Sequence, residues 1–387
     1  MTDLMRRVEE FLAEHDPATT DRWEFLRARF DAGLARIDWP AGLGGLGTSP
    51  AEQPAVDAAF AAAGAPDNRP ALGIIGLGMA SPAILRYGTP EQQQRLLRPL
   101  WTGEEIWCQL FSEPGAGSDL ASLATRAVRD GDDWVVNGQK VWTSLARHAR
   151  RAILVARTDP TVPKHDGLTY FVLDMTSPGV EVRPLRQITG ESEFNEVFLT
   201  DVRIPDTDRL GAVGEGWAVA MTTLMSERTA IGGGHSPRNA LLAPLLDTWR
   251  ARPELRTPGL HERVLELWVQ AEASRIAGAR RRQAQAAGRP GPEGSAAKLS
   301  FSDLNQRITA VETELLGAEG LRYADWRPHR PAEGTVPPAN RRYLRSRGNS
   351  IEGGTSEILR NIIAERVLGL PPEIRVDKDV AWQDLPR

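Results

Sequence analysis

The hydrophobic period of this 387-residue chain changes twice along its length. Up to about Ile106 it is helical: Val8-Glu9-Glu10-Phe11-Leu12 and Trp23-Glu24-Phe25-Leu26 place apolar side chains three and four apart. An Ala-rich stretch at 55–63 behind Pro54, and Thr89-Pro90 in cap-then-proline order, predict further helices. Between about Trp107 and Gly211 the period shortens. Runs at 134–136, 141–143, 152–155, 168–173, 180–182 and 197–199 read as strands, with Asp130-Gly131 and Asn137-Gly138 as hairpin turns. Strands so closely spaced predict a small antiparallel barrel or sandwich. From Gly216 on, helices return at 217–229, 260–287, 300–317 and 356–368, broken by Pro and Gly at 288–294 and by a Pro-rich loop at 328–338. Apolar-faced helices of that length pack as an antiparallel bundle. The expected fold is therefore α+β and multidomain: a helical domain over 1–106, an antiparallel β-barrel over 107–215 and a C-terminal four-helix bundle over 216–387.

Composition narrows the function. Lys and Arg number 47 against 51 Asp and Glu, a formal net charge of −4, which gives no electrostatic reason to expect nucleic acid. The single cysteine, Cys108, rules out an internal disulfide and any multi-cysteine metal site; it reads as a small buried apolar residue in a reducing, cytoplasmic protein, and no metal is expected. No apolar run is long enough to span a bilayer, the least polar stretch, 71–85, being interrupted by Gly73, Gly76, Gly78 and Pro82, and the N-terminus lacks a signal-peptide pattern. Gly42-Leu43-Gly44-Gly45-Leu46-Gly47 matches a dinucleotide fingerprint in letters only. Trp39-Pro40 precedes it and Thr48-Ser49-Pro50 follows, so it lacks the flanking strand and helix and reads as a loop needing positive φ. Arg280 to Arg282 read as a solvated face, whereas Arg341, Arg342, Arg345 and Arg347 adjoin a C-terminal motif and could face phosphate.

The chemistry concentrates in Gln109-Leu110-Phe111-Ser112-Glu113-Pro114-Gly115-Ala116-Gly117-Ser118-Asp119. Small residues there permit close backbone approach, and consecutive N–H groups with the Ser112 and Ser118 hydroxyls suit a polar planar ring and a phosphate. This run resembles the first signature of the acyl-CoA dehydrogenase family. Asn137-Gly138-Gln139-Lys140-Val141-Trp142-Thr143-Ser144 resembles the family's flavin-facing strand, and Gly353-Gly354-Thr355-Ser356-Glu357-Ile358 its C-terminal motif. Shorter matches, among them Trp39-Pro40, Gly88-Thr89-Pro90-Glu91-Gln92, Phe194-Asn195-Glu196 and Val202-Arg203-Ile204-Pro205, extend the resemblance over nearly the whole chain. It implies FAD, with Gln109, Phe111, Ser112, Gly117 and Ser118 lining flavin and pyrophosphate, Trp142, Thr143 and Ser144 at the isoalloxazine, and Thr355 and Glu357 as C-terminal contacts.

It also implies a carboxylate base that takes the α-proton of an acyl thioester while hydride leaves the β-carbon for the flavin. Many relatives carry that base directly before the Gly-Thr of the C-terminal motif, where this chain has Gly353. Other branches carry it before an Arg on the first long C-terminal helix, here Leu224-Met225-Ser226-Glu227-Arg228. Glu227 is the expected base with Arg228 as its neighbour, Glu352 is the second candidate, and the Gly353 N–H is an expected oxyanion donor. Two departures stand out: the family's Arg-x-x-Phe-Gly run is absent, 251–260 standing in its place, and Glu314 occupies a position usually held by Gln. The implied activity is α,β-dehydrogenation of an acyl-CoA or carrier-bound thioester in fatty-acid or lipid metabolism. An electron-transferring flavoprotein is the implied acceptor, and the assembly is a homodimer, a homotetramer or a heterotetramer. A flavin oxidase or monooxygenase on the same fold, or a non-catalytic subunit, are the alternatives.

Overall fold

A computed structural model of the chain describes residues 2–68, 70–233, 241–286, 291, 293–323, 336–375 and 377–386, the side chains of 70–72, 227–233, 285–286 and 293 excepted. It divides into two compact units. The first comprises 1–184, 194–223 and 376–387, and the second 185–193 and 224–375.

The first unit opens with helices α1 (Asp3–Glu14), α2 (Arg22–Asp31), α3 (Gln53–Ala62), α4 (Pro70–Ile75), α5 (Ser81–Tyr87) and α6 (Pro90–Thr102). Their starts follow the sequence: Thr2, Asp21 and Thr89 cap α1, α2 and α6, and Thr89 closes a capping box with Gln92. Val8, Phe11, Phe25, Leu34, Ile37, Val56 and Phe60 form one buried cluster. The glycine-rich segment is a loop, as expected, with Gly42, Gly44 and Gly47 at positive φ. A Cβ on Gly45 would meet the Trp39 carbonyl oxygen at 2.1 Å. Between α4 and α5 the chain widens into a π-helix, Gly76–Ala80.

Eight strands follow: β1 (Trp107–Leu110), β2 (Arg126–Asp130), β3 (Asp133–Ser144), β4 (Arg151–Arg157), β5 (Leu168–Asp174), β6 (Val180–Pro184), β7 (Phe194–Pro205) and β8 (Arg209–Leu210). They form one sheet in the order β6-β7-β3-β2-β4-β5-β8, with β1 beside β4. The expected antiparallel barrel is corrected in two respects: the sheet is mixed, and it does not close. β1 lies parallel along residues 151–154 of β4, so β2 meets β4 at one pair only, Arg126 and Arg157, also parallel. Asn137-Gly138 is corrected as well. It lies inside β3 at a register shift, because Asn137 exchanges hydrogen bonds with Asp201 across the ladder to β7: its Nδ2 donates to Asp201 Oδ1 and its Oδ1 accepts from the Asp201 N–H, both at 2.9 Å. Asp130-Gly131 is the turn expected. One face of the sheet buries a core that includes Cys108, Leu110, Trp134, Val136, Leu154, Phe171 and Val197. Burial pushes the Cys108 thiol pKa up, as suits an inert packing residue.

Helix α7 (Gly216–Gly233) begins in the first unit, and the division falls within it, after Thr223. The second unit holds α8 (Ala243–Ala251), α9 (Pro258–Ala286), α10 (Glu293–Leu316), α11 (Ala339–Ser346) and α12 (Ser356–Arg366). Its core is made by Leu242, Leu245, Val264, Leu267, Leu304, Ile308, Val311 and Leu315. Most of the breaker at 288–294 and of the loop at 328–338 lies outside the described residues. On α9, Leu265, Trp268, Val269 and Ile276 are 51%, 44%, 58% and 53% exposed, an apolar stripe at helical spacing facing solvent. Among the described residues no helix is long and apolar enough to cross a membrane.

Candidate functional site

In the first unit the glycine- and proline-containing loop is built out from β1. Gln109 lies half-buried on β1, and Phe111 is buried, its ring edge-on to Tyr170 at 5.8 Å and 87°. Glu113 and Ala116 then exchange backbone hydrogen bonds of 3.0 and 3.1 Å, tucking Ala116 inward while Pro114, Gly115, Gly117, Ser118 and Asp119 remain exposed. Among the described residues the N–H groups of Gly115, Gly117 and Ser118 and the hydroxyls of Ser112 and Ser118 have no hydrogen-bond partner.

What fixes this loop is a buried ion pair that sequence reasoning missed. Lys140 is wholly buried on β3 and donates to Phe111 O at 3.0 Å, Val155 O at 2.9 Å and Glu113 Oε1 at 2.9 Å. The Glu113 carboxylate also accepts from the Ala124 and Thr125 N–H groups, at 2.7 and 2.9 Å. Burial works against the Glu113 charge, but Lys140 and the donors outweigh it and hold the carboxyl below its usual range. Ser112 O accepts from Val141 N at 2.9 Å, which lays the loop beside the end of β3. The usable signal was a lysine at an inward position of a strand.

That strand end is distorted. The ladder to β7 shifts register between Lys140 and Thr143, and Trp142 sits at φ +60°, left-handed backbone that costs an L-residue about 1–2 kcal/mol. Its indole is 61% exposed, with the Phe194 ring edge-on at 6.0 Å. Thr143 turns inward and is buried, its carbonyl accepting from Asn195 Nδ2 at 2.9 Å, while Ser144 pairs with Phe194 and is half-buried. An outward indole held by strained backbone, beside a loop of free N–H and hydroxyl donors, fits a planar aromatic ring bearing a phosphate.

In the second unit the C-terminal motif is equally well pinned. Gly353 and Gly354 have φ of +63° and +97°, and among the described residues nothing accepts from the Gly353 N–H. Buried Lys298 donates to Asn349 O and Gly354 O, each at 2.7 Å, and Ser302 Oγ also reaches Asn349 O. Thr355 caps α12 through a 3.3 Å bond from Ile358 N, and Glu357 is exposed in the first turn, 3.7 Å from Arg360. Glu352, the second candidate base, is committed elsewhere. It accepts from both terminal nitrogens of Arg345, at 3.0 and 2.9 Å, and from Asn349 Nδ2 at 2.6 Å. The neighbouring arginines are also engaged: Arg342 pairs with buried Glu312 at 2.5 Å, and Arg341 lies 3.9 Å from Glu191. The unusual Glu314 is compensated by Arg263 at 2.7 Å. Glu227 and Arg228 lie on α7, and their side chains are outside the described residues.

Three models of the acyl-CoA dehydrogenase family match the chain: the N-terminal domain over residues 3–104, the middle domain over 108–202 and the C-terminal domain over 214–368. The chain is 43% identical over 343 residues to acyl-CoA dehydrogenase FadE34 of Mycobacterium tuberculosis; that stretch is 88% of this chain but 45% of the relative, so the chain spans less than half of that protein. It is 39% identical to acyl-CoA dehydrogenase IpdE1 of the same organism, over 89% of this chain and 86% of the relative. Among solved structures it resembles the ChsE4-ChsE5 complex from Mycobacterium tuberculosis, with a TM-score of 0.72, 26% identity and coverage of 96% of this chain and 99% of that one.

Proposed function

Because the chain belongs to the acyl-CoA dehydrogenase family, we propose that it is an FAD-dependent enzyme that removes hydrogen from the α and β carbons of an acyl-CoA, or another acyl thioester, leaving the trans-2-enoyl product. The observation that carries this reading is the loop of unpartnered N–H and hydroxyl donors lying beside the strained, outward Trp142. FAD, when bound, supplies the hydride acceptor. Gln109, Phe111, Ser112, Gly117 and Ser118 would hold it from the loop, Trp142, Thr143 and Ser144 from the strand, and Thr355 and Glu357 from the C-terminal motif.

Glu227 takes the α-proton in this reading, with Arg228 beside it. Glu352 is set aside because Arg345 and Asn349 already occupy its oxygens. The Gly353 N–H, turned by positive φ and without an acceptor among the described residues, meets the thioester oxygen where negative charge develops. The three-domain division at 106/107 and 215/216 and the four-helix bundle of the C-terminal domain are part of the same reading. So are a cytoplasmic setting, a role in fatty-acid or lipid metabolism and an electron-transferring flavoprotein as acceptor. The apolar stripe on α9 supports a homodimer or homotetramer. A heterotetramer is the second reading, favoured by the likeness to a two-component complex.

The test is a visible spectrum of the purified protein followed by anaerobic titration with acyl-CoA thioesters. Flavin bleaching is expected, and Glu227→Gln should keep FAD while turnover falls by about 10²–10⁴. Normal turnover in that variant sinks the assignment of the base. Rapid reoxidation by dissolved oxygen would make the enzyme an oxidase or monooxygenase, and failure to bind added FAD would make the chain a non-catalytic subunit.

A further inference from the structure

We propose that residues 377–386 act as a clasp that positions the flavin-binding loop, Lys164 and Trp382 tying this distant segment to residues 119–123. The inference rests on the FAD reading above and concerns the first unit alone, to which the segment belongs although residues 224–375 separate it from the rest.

The contacts are polar, short and aimed at one place. Lys164 is 5% exposed, and its Nζ lies 2.7 Å from Asp119 Oδ2 and 2.6 Å from Asp377 Oδ2. Asp119 is the last residue of the loop, and it also accepts from Ser122 Oγ at 2.6 Å. The carbonyls of Ala121, Ser122 and Leu123 are all taken. Arg157 donates to Ala121 O at 2.6 Å and to Leu123 O at 3.1 Å, and the Trp382 indole N–H donates to Ser122 O at 3.2 Å. These two side chains also stack, the Arg157 guanidinium lying 4.3 Å from the Trp382 ring centre. Arg157 is 3% exposed and, among the described residues, has no carboxylate within ion-pair distance, so carbonyls and the indole face are its direct contacts, with Glu113 and Asp159 acting from farther off. The segment is held along its backbone as well: Trp382 N donates to Val162 O at 2.9 Å and Gln383 N to Pro160 O at 3.0 Å, next to a bridge between Pro163 and Ala381.

The loop has need of such support. It contains two glycines, and a Cβ on Gly115 or Gly117 would meet nothing within 4 Å, so neighbouring atoms do little to confine it. Glu113 and Lys140 anchor its near end, and Lys164, Arg157 and Trp382 its far end. Ordering the loop before the cofactor arrives removes an entropy cost from binding. Simple covering of apolar surface would not require this arrangement, since Trp382 stays half-buried and Gln383 and Asp384 are exposed.

The test compares the full chain with Trp382→Ala, Trp382→Phe and a chain ended at Arg375. The readouts are FAD affinity by fluorescence titration, the absorption spectrum of bound flavin, and thermal unfolding of the apo-protein. Trp382→Ala and the shortened chain should bind FAD about tenfold more weakly, with a blurred flavin band and apo unfolding midpoints within about 2 °C of the parent. Trp382→Phe, which keeps a ring face for Arg157, should recover most of the affinity. Parent-like affinity in both Trp382→Ala and the shortened chain overturns the clasp, as does an affinity loss that merely follows collapse of the apo midpoint. A parent chain that binds no FAD instead overturns the functional reading on which the clasp rests.

Discussion

Replacing Lys140 with Met tests the buried pair under the flavin loop. The substitution keeps the length of the side chain and removes one ammonium at a fully buried position. It takes the ammonium donor from three acceptors, Phe111 O, Val155 O and Glu113 Oε1, and leaves a carboxylate only 9% exposed with two backbone donors. Breaking a buried pair from one side costs about 3–5 kcal/mol, a large share of the roughly 5–15 kcal/mol that holds a typical protein folded. The pH dependence follows from the Glu113 shift. In the parent its pKa is depressed, so its contribution is present above the unfolded value of about 4.3 and is lost as pH falls through the lower folded value. In Lys140→Met the lysine no longer opposes burial and the carboxyl pKa moves up, so the penalty is largest near neutrality and is relieved as the acid protonates. Urea unfolding of the apo-protein followed by circular dichroism, at about pH 7 and about pH 5, should show the gap between parent and variant narrowing at the lower pH. Burial draws the Lys140 pKa down as well, so the pair gains little over apolar packing. Lys140→Met with Glu113→Leu should therefore recover the part of the loss that the unpaired carboxylate causes, while Phe111 O, Val155 O and the Ala124 and Thr125 N–H groups remain without these partners. A single-variant cost below about 1 kcal/mol, or one equal at both pH values, refutes the account.

Two further substitutions test other features. Trp142→Gly relieves left-handed backbone, so the apo-protein should unfold no earlier than the parent despite losing a large side chain, while FAD affinity falls about tenfold or more. An apo-protein clearly less stable than the parent would mean that the indole is structural. Leu265→Lys with Val269→Lys on the α9 stripe should raise the subunit dissociation constant at least about a hundredfold, at roughly 1.5–3 kcal/mol per exposed side chain buried on assembly. Light scattering after gel filtration that reports an unchanged mass places the interface elsewhere.

Much of the helical architecture was legible because an apolar stripe at helical spacing is a local signal. Four expected C-terminal helices fall on α7, α9, α10 and α12. The short α8 went unread, and so did α11, an Arg-rich helix whose ion-pair partners lie outside it: Arg342 meets Glu312, and Arg345 meets Glu352. Strand β1 escaped for a related reason, since its parallel mate β4 lies beyond β2 and β3 in the chain. Asn137-Gly138 shows a local turn signal overruled by register, the partner Asp201 lying 64 residues away. The loop, the strand and the C-terminal motif could be singled out as candidates from the residues themselves. Their mechanical support could not. Lys140 with Glu113, Lys298 with Asn349, and Trp382 with Arg157 all join positions far apart, and no window of sequence contains both partners. The positive φ of Trp142 was hidden too, because a strand-like run of Val, Trp and Thr gives no sign of a bulge.

The clasp at 377–386 also has a consequence for the order of events during synthesis. Domains tend to fold as units as they emerge from the ribosome, earlier segments first. The sheet and its loop are complete in sequence by residue 223, yet Asp377 and Trp382 reach the ribosome exit only after all of 224–375. Until then Lys164 and Arg157 lack the partners that this segment brings. A nascent chain would therefore hold a formed but unlatched loop, and high-affinity flavin capture would come late, after the second unit has been made.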